Sequence, residues 1–242
     1  MNPTIQSLFD RKSVRVFTDR EISPEDKALI LQSAAQAPTA GNQQLYTILD
    51  ITDQAVKDAL VKTCDNQPFI ASAKMVLIFC ADCKKWYDAF LTAGCTPRQP
   101  GVGDLTLAIA DAVIAAQNAV VAAESLGIGS CYIGDISENC EQQRALLNLP
   151  RYVYPAAMVV FGYPTAQQQS RPKPVRCAME YIVHENGYKA MDADTLKAML
   201  QKNVAPGNTY ENWITAFCNR KFNSDFSREM TRSVGEFLKD FL

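Results

Sequence analysis

The sequence predicts one large domain that combines helices with short buried strands around a single long apolar helix. The chain has 242 residues, 48% of them hydrophobic, which is enough for a substantial core. Apolar runs of strand length at 46–52, 75–81 and 154–164 alternate with segments of helical periodicity. No internal repeat or Gly/Ser linker marks a second domain, so we expect one domain over residues 1–242 with a helical extension from about residue 192.

The charge balance argues against two classes of partner. The formal net charge is −2, so no general basic field attracts nucleic acid or an anionic membrane surface. The first thirty residues hold no continuous apolar core followed by a small-residue cleavage site. We therefore expect a cytoplasmic protein.

Residues 104–135 form the stretch around which the other segments are arranged. At about 100° per residue, the few polar side chains of 104–125 fall in two narrow rows, and the rest of the circumference is apolar. The rows are Asp104, Asp111, Asn118 and Ser125, and Gln117 with Glu124. These polar side chains favour a core or subunit interface over a bilayer. Small side chains keep the helix thin, which is compatible with a symmetric dimer packed through it. They are Ala108, Ala112, Ala115, Ala116, Ala119, Ala122 and Ala123.

The end of this stretch is a candidate ligand turn. Gly127 suits the left-handed position past a helix end, and residues 131–133 extend as a strand. Gly134 then lets the backbone turn, which leaves N–H groups available to a ligand.

Local signals define the other elements in order. Helices are predicted at Pro3–Asp10, from the Ser23 cap to about Ala37, and at 54–64, 84–92 and 137–147, with a short strand at 180–184. The second helix is expected to bury Ala28, Leu29, Leu31, Ala34 and Ala35. The tail aromatics fit a packing stripe rather than a cofactor site; they are Trp213, Phe217, Phe222, Phe226, Phe237 and Phe241.

Two basic clusters are candidates for binding phosphate. In 11–17, Arg11, Ser13 and Arg15 share one face if the segment is extended, and a guanidinium group offers fork-like donors to phosphate oxygens. The alternative is a solvated basic turn. A second cluster at 171–176 lies between prolines. No G-x-G-x-x-G follows a strand and no Walker motif is present, so these common phosphate loops are not available.

The loop at 37–46 combines small and amide side chains. Such a loop can approach a flat ligand closely and hydrogen-bond its edge, although an ordinary helix-to-strand connection needs no such role. Among eight cysteines, Cys80 and Cys83 form the one C-x-x-C pair, and His184 is the one histidine. A thiol-redox or metal-binding protein using Cys80 and Cys83 is therefore the alternative function.

Several of these segments, taken together and in order, resemble one enzyme family. The segments are RKSVRVF, APTAGNQQLY, Gln67, AAQNAVVAAESLGIGSCYIGD, GYP followed by RPKPVR, and VHENGY. They resemble the nitroreductase and NADPH:flavin oxidoreductase family, in particular its larger-subunit branch. The resemblance implies an α+β fold, a nitroreductase-like three-layer sandwich in which helices cover a mixed, mainly antiparallel sheet. It also implies a homodimer with one FMN at each of two interface sites.

The same resemblance implies cofactor contacts. Arg11, Lys12, Ser13 and Arg15 are expected to contact FMN, Gln67 its ring edge, and Lys173 and Arg176 its phosphate. The second subunit is expected to contribute Thr39, Ala40, Gly41 and Asn42, and the turn beside the ring consists of Tyr132, Ile133, Gly134 and Asp135. The chain departs from the branch's pattern at Arg11, Lys12 and Asp135, where histidine, arginine and glycine are usual, and Val175 lengthens the Lys-Pro-Arg motif.

The implied activity needs no catalytic side chain, because the flavin carries the hydride. NADPH reduces FMN and leaves, and a nitroaromatic, quinone or flavin acceptor then takes its place in a ping-pong scheme. Arg15 is our first choice for the cation that stabilises the reduced ring, and Lys173 the second. The NADPH 2′-phosphate needs another cation, with Arg98, Lys202, Arg220 and Arg228 as candidates.

Overall fold

The computed structural model describes residues 1–242, which divide into two compact units. Unit 1 consists of Met1–Arg171 with Glu229–Leu242, and unit 2 of Pro172–Arg228.

Unit 1 contains a four-stranded sheet. Its strands are β1 (Tyr46–Asp50), β2 (Met75–Asp82), β3 (Gly129–Ile133) and β4 (Val153–Gly162), in the order β1-β2-β4-β3. All three pairs are antiparallel, and Ser13 adds a single parallel bridge to Ser130. The three predicted strand runs and the strand after the long helix are thus confirmed.

Helices surround this sheet. They are α1 (Pro3–Asp10), α2 (Pro24–Ala35), α3 (Gln54–Thr63), α4 (Phe69–Ser72), α5 (Lys84–Thr92), α6 (Val102–Ser125), α7 (Cys140–Leu147) and α8 (Ala166–Ser170). The chain continues with α9 (Ala193–Gln201), α10 (Tyr210–Lys221) and α11 (Asp225–Leu238). Caps expected from the sequence are present, since the Ser23 side chain accepts a hydrogen bond from the N–H of Asp26.

The sheet separates two apolar layers because successive side chains of a strand point to opposite faces. Leu77 and Phe79 alternate with Val76 and Ile78 along β2, whose residues are all buried. The first pair joins a core with α2 and α6, and the second joins a core with α3, α7 and α11. This is the helix–sheet–helix sandwich that the resemblance implies.

Helix α6 is the central helix of unit 1. It is the one helix long and apolar enough to cross a membrane, and here its buried side packs against α2 and the sheet. Its polar row fastens other segments to it. Asp104 accepts from the N–H of Gly101 at 2.8 Å, and the Asn118 side chain donates to the carbonyl of Ser33 at 3.2 Å. Polar side chains in this buried helix thus have partners, as burial requires.

Three local predictions were wrong. The strand predicted at 180–184 is a 3₁₀ turn at Met179–Tyr181. The helix predicted from residue 137 begins at Cys140, because a 3₁₀ turn occupies Gly134–Ser137 and Asn139 is left-handed. In α2 the phase is set by Ile30 and Ala34, which pack against α6 and the sheet. The predicted core residues Ala28, Leu29 and Ala35 are exposed as a result.

Unit 2 contains α9 and α10. The rings of Trp213 and Phe217 are 5.3 Å apart and form part of the predicted aromatic stripe. The Tyr210 ring, which was not in that prediction, lies 6.3 Å from the Trp213 ring. Phe222 is 74% exposed, so it does not belong to a packed stripe. The last aromatics of the prediction, Phe237 and Phe241, lie in unit 1 and are buried there.

Candidate functional site

Residues 13–18 run across the ends of β3 and β4. The N–H of Val14 donates to the carbonyl of Ser130 at 2.9 Å, and the N–H of Thr18 donates to that of Tyr163 at 2.8 Å. Two glycines that face each other in the β3–β4 register allow this approach. A Cβ on Gly129 would lie 2.6 Å from the Val14 side chain, and one on Gly162 would lie 2.7 Å from the Phe17 ring. Side chains larger than hydrogen at both positions are therefore excluded by the segment itself.

The first basic cluster converges on β3. Arg11 Nη2 donates to Ser130 Oγ at 3.5 Å, and its guanidinium lies 5.8 Å from the centre of the Tyr132 ring. The Arg15 guanidinium lies 5.8 Å from the centre of the Phe69 ring. Burial raises the pKa of the neighbouring Cys131 thiol, while Arg15, Ser13 and Arg11 act in the opposite direction. The structure thus brings Arg11, Ser13 and Arg15 together around one strand.

Lys12 points to a different part of unit 1. Its ammonium donates to the backbone carbonyls of Gln169 and Arg171, and the Arg171 guanidinium donates back to the carbonyl of Ser13 at 2.8 Å. Folding therefore joins the start of the second basic cluster to the first cluster. Lys173 and Arg176 belong to unit 2, and their assignment to the phosphate stays a prediction.

Asn139, four residues after the predicted turn, is bound to the end of α3, which precedes the predicted ring-edge residue Gln67. The Asn139 side chain donates to the carbonyl of Thr63 at 2.9 Å, at the end of α3. Gln67 follows that end, and its side chain donates to the carbonyl of Cys64 at 3.0 Å. Because Phe69 lies under Arg15, the segment of Gln67 is close to the cationic cluster on β3. Gly134 is exposed, so the turn from Tyr132 to Asp135 presents open backbone at this one position.

A buried carboxyl group directly follows this turn. Glu138 is 5% exposed, and its Oε1 atom has no hydrogen-bond partner. Burial, followed by the nearby carboxylates of Asp135, Asp65 and Glu229, raises the pKa of Glu138 to about 7. Sequence reasoning missed Glu138, because its burial depends on α11, where Ser233 donates to the carbonyl of Ser137 at 2.7 Å.

The loop expected to reach the other subunit's cofactor is fastened to the middle of α6. Asp111 is 3% exposed, and its carboxylate accepts from the Thr39 hydroxyl, from the N–H of Ala40 at 3.0 Å and from the N–H of Leu45 at 3.1 Å. Gly41 and Asn42 both have positive φ, 56° and 58°. The sequence signal was the polar position at 111 in an apolar helix, although its partners could not be read from it.

The two cysteines of the alternative function are buried on different sides of the sheet end. Cys80 belongs to the core with α3 and α7, and Cys83 packs with Leu45 and Leu105. Burial raises the pKa of each thiol to about 12. Because the thiolate is the reactive form, this environment disfavours thiol-redox chemistry at the pair.

Two solved structures share this architecture. The chain matches the NfrA1 nitroreductase of Bacillus subtilis with a TM-score of 0.83 and 26% identity, over 97% of this chain and 98% of that one. It matches the NADPH:FMN oxidoreductase of Vibrio harveyi, complexed with NAD+, with a TM-score of 0.82 and 26% identity, over 98% of both chains. The fold and the cationic cluster on β3 therefore define an oxidoreductase of the nitroreductase type.

The sequence comparisons identify the family. The model of the Nitroreductase family matches residues 8–163. The oxygen-insensitive NADPH nitroreductase of Salmonella typhimurium is 34% identical over 81% of this chain and 79% of its own length. The FMN reductase [NAD(P)H] of Bacillus subtilis is 28% identical over 98% of this chain and 91% of its own length. The chain belongs to the nitroreductase family, as the resemblance predicted.

Proposed function

We propose that this protein passes a hydride from NADPH through bound FMN to a small acceptor by a ping-pong mechanism. Its broader class, an NAD(P)H-dependent flavin oxidoreductase, follows from membership of the nitroreductase family. Nitroaromatics, quinones and free flavin are the proposed acceptors. The observation that carries the proposal is the convergence of Arg11, Ser13 and Arg15 on β3 beside the turn at Gly134.

The residues around β3 fit an anionic flavin nucleotide. The Nε atom of Arg11 is buried and has no hydrogen-bond partner within the chain, so one donor of this guanidinium group is unsatisfied, which fits an anionic ligand beside it. The guanidinium groups of Arg11 and Arg15 supply positive charge near the same strand, because both act on Cys131 of β3. A Cβ on Gly134 would meet nothing within 4 Å, so a planar ring has room to approach the backbone of the turn.

FMN, when bound, supplies the group that accepts and releases the hydride. The chain's own residues bind and orient it. Arg15 favours negative charge on the ring, with Lys173 as the second choice, because preorganised cations stabilise charge that develops during reaction. Gln67 and the turn from Tyr132 to Asp135 hold the ring edge, and Thr39–Asn42 of a second subunit complete the site.

A homodimer accounts for an apolar surface on unit 1. Large hydrophobic side chains on α1 and α6 are exposed in the single chain, which is unusual for a monomer when they are numerous. They are Ile5, Leu8, Phe9, Val102, Leu107, Val113 and Ile114. We propose that a second copy of the chain covers them.

We also propose that both units serve one activity and that the protein is cytoplasmic.

Four residues are proposed as candidates for the cation that binds the NADPH 2′-phosphate: Arg98, Lys202, Arg220 and Arg228. Arg98 forms a two-point ion pair with Asp104, at 2.6 and 2.9 Å, which makes it the weaker candidate. Lys202, Arg220 and Arg228 are exposed in unit 2. Equal use of NADH and NADPH would show that no such cation operates.

The direct test is spectroscopic. Purified protein, or protein incubated with excess FMN and then desalted, is expected to be yellow, and NADPH is expected to bleach it without oxygen. A quinone added afterwards should restore the colour, and initial rates should give parallel double-reciprocal lines. Protein that stays colourless after incubation with FMN would contradict the proposal.

Arg15→Ala tests the residue assignment. We expect FMN affinity to fall about tenfold or more, because a charge-assisted contact is lost at an exposed position that contributes little to folding. Fluorescence titration of FMN measures the dissociation constant, and thermal melting checks the fold. Arg20→Ala is the control, because Arg20 lies in the same segment but stacks on the Tyr163 ring at 3.8 Å. Equal FMN affinity in both variants would remove Arg15 from the site.

A further inference from the structure

The loop at 39–45 depends on one side chain that the sequence alone does not connect to it. Its conformation is unusual, because Gly41, Asn42 and Gln44 have φ values of 56°, 58° and 49°. Asn and Gln in the left-handed region are uncommon, and such backbone persists only where its surroundings hold it. The loop therefore needs contacts from outside it to keep this backbone conformation.

Asp111, in α6, provides these contacts. Its Oδ1 atom accepts from the N–H of Ala40, and its Oδ2 atom accepts from both the Thr39 hydroxyl and the N–H of Leu45. Thr39 Oγ1 also accepts from the N–H of Gln44 at 2.7 Å, which extends the network across the loop. One carboxylate thus binds donors at both ends of the loop, 66 to 72 residues away in sequence.

The acceptor geometry explains why a carboxylate is needed. Three loop donors converge on the two oxygens, and a carboxylate can accept all of them because it carries no hydrogen of its own when ionised. An asparagine keeps the shape but replaces one oxygen with an NH₂ group, which would face a loop donor. Hydrogen bonds to an ionised acceptor are also stronger than those between neutral groups.

We propose that Asp111 is a positioning residue, which fixes Thr39–Asn42 in the conformation that contacts FMN across the dimer interface. This inference rests on the proposed function, because the loop's contact with FMN comes from it. Asp111 itself has no role in hydride transfer. Asp111 lowers the free-energy cost of ordering the loop. Without Asp111, FMN binding would have to offset that cost, and FMN affinity would be lower.

The test compares Asp111→Asn with Asn118→Ala in the full-length protein. Asn118 is the matched control because it lies on the same polar row of α6 but binds the end of α2. Amide hydrogen exchange of Ala40 and Leu45 reports the loop, and fluorescence titration measures FMN affinity. For Asp111→Asn we expect exchange at both amides to be at least about tenfold faster and FMN affinity about tenfold weaker. Asn118→Ala should leave both within about twofold.

Thr39→Val keeps the test independent of the fold of Asp111→Asn. It removes the hydroxyl that donates to Asp111 and accepts from the N–H of Gln44, so amide exchange at Leu45 should become faster, in the same direction as for Asp111→Asn. The inference is overturned if amide exchange in Asp111→Asn is unchanged, or if exchange is faster but FMN affinity is unchanged. In either case the proposed function stays intact as long as the unaltered protein binds FMN normally. Failure of the unaltered protein to bind FMN is the separate failure of the proposed function.

Discussion

Two regions of unit 1 predicted to contact the cofactor are held in opposite ways. Residues 13–18 are held by backbone hydrogen bonds and by close packing on Gly129 and Gly162, so space limits what this region accepts. The loop at 39–45 is held by one carboxylate, and a Cβ on Gly41 would have no atom nearer than 3.7 Å. The first region is therefore sensitive to added volume and the second to lost acceptors. The same type of substitution should give different results in the two regions.

The largest effect is expected from an alanine scan of glycines across both regions. Gly129→Ala forces a methyl group against the stiff Val14 side chain, and we expect about 3 kcal/mol of destabilisation with loss of FMN binding. Gly41→Ala should cost only about 1 kcal/mol, through its positive φ. Chemical denaturation measures both values.

Two further variants decide whether volume is the cause. Gly235→Ala in α11 meets nothing within 4 Å and should be neutral or slightly stabilising. Val14→Ala combined with Gly129→Ala removes volume where the first change adds it, and should recover much of the stability. If Gly129→Ala alone behaves like Gly235→Ala, the two regions do not differ in the way described.

An intermediate effect is expected from Glu138, beside the turn at the end of β3. Its pKa of about 7 in the folded protein lies above the ordinary 4.5, so its contribution to stability is complete below about pH 4.5 and is lost as pH rises through about 7. The side chain in Glu138→Gln cannot ionise, so the variant avoids the loss of stability at high pH. We expect the change in unfolding free energy caused by Glu138→Gln to be about 2 kcal/mol more stabilising at pH 8 than at pH 4.5. Melting temperatures measured from pH 4.5 to 8 check this.

Glu141 is the control for that pH series. It lies three residues further along the chain, and hydrogen bonds from Arg232 lower its pKa to about 2. The sign is therefore reversed, because its contribution is present above about pH 4.5 and is lost as pH falls towards 2. Between pH 5 and 8, the melting temperature of Glu141→Gln should therefore vary with pH in the same way as that of the unaltered protein. A Glu138→Gln profile that parallels the unaltered protein over that range would contradict the assigned pKa.

The smallest effect is expected from the thiols beside the two regions. Cys83→Ser, near Leu45, and Cys131→Ser, beside Arg15, should each keep NADPH oxidation within about twofold, because neither thiol takes part in hydride transfer. Steady-state rates with a quinone acceptor measure this. Complete loss of activity in Cys83→Ser alone would favour thiol-redox chemistry instead.

Much of the fold could be predicted because its signals are local. The strand at 75–81 is a continuous apolar run, and α2 starts at a Ser-Pro cap, so both needed only neighbouring residues. The short strand predicted at 180–184 was wrong for the same reason, because apolar residues were judged without tertiary pairing. The start of α7 was missed because Asn139 adopts a left-handed conformation set by contacts with α3 and α11.

The candidate site could be predicted only in part. Charge and spacing identified Arg11, Ser13 and Arg15, since residues two apart share a face of an extended segment. The periodicity of α6 marked position 111 as polar, but its partners at 39–45 are set by tertiary packing. The Lys12 ammonium also binds two backbone carbonyls, a contact that could not be predicted because it depends on where 169–171 folds, and its contact with FMN stays a prediction.

The facing glycines Gly129 and Gly162 also restrict β3 and β4 to one register. A slip of one residue would place Ser130 or Phe161 under Val14 and Phe17, where their side chains would clash. The amino-terminal segment, which carries Arg11 and Arg15, can therefore dock only on a correctly aligned sheet.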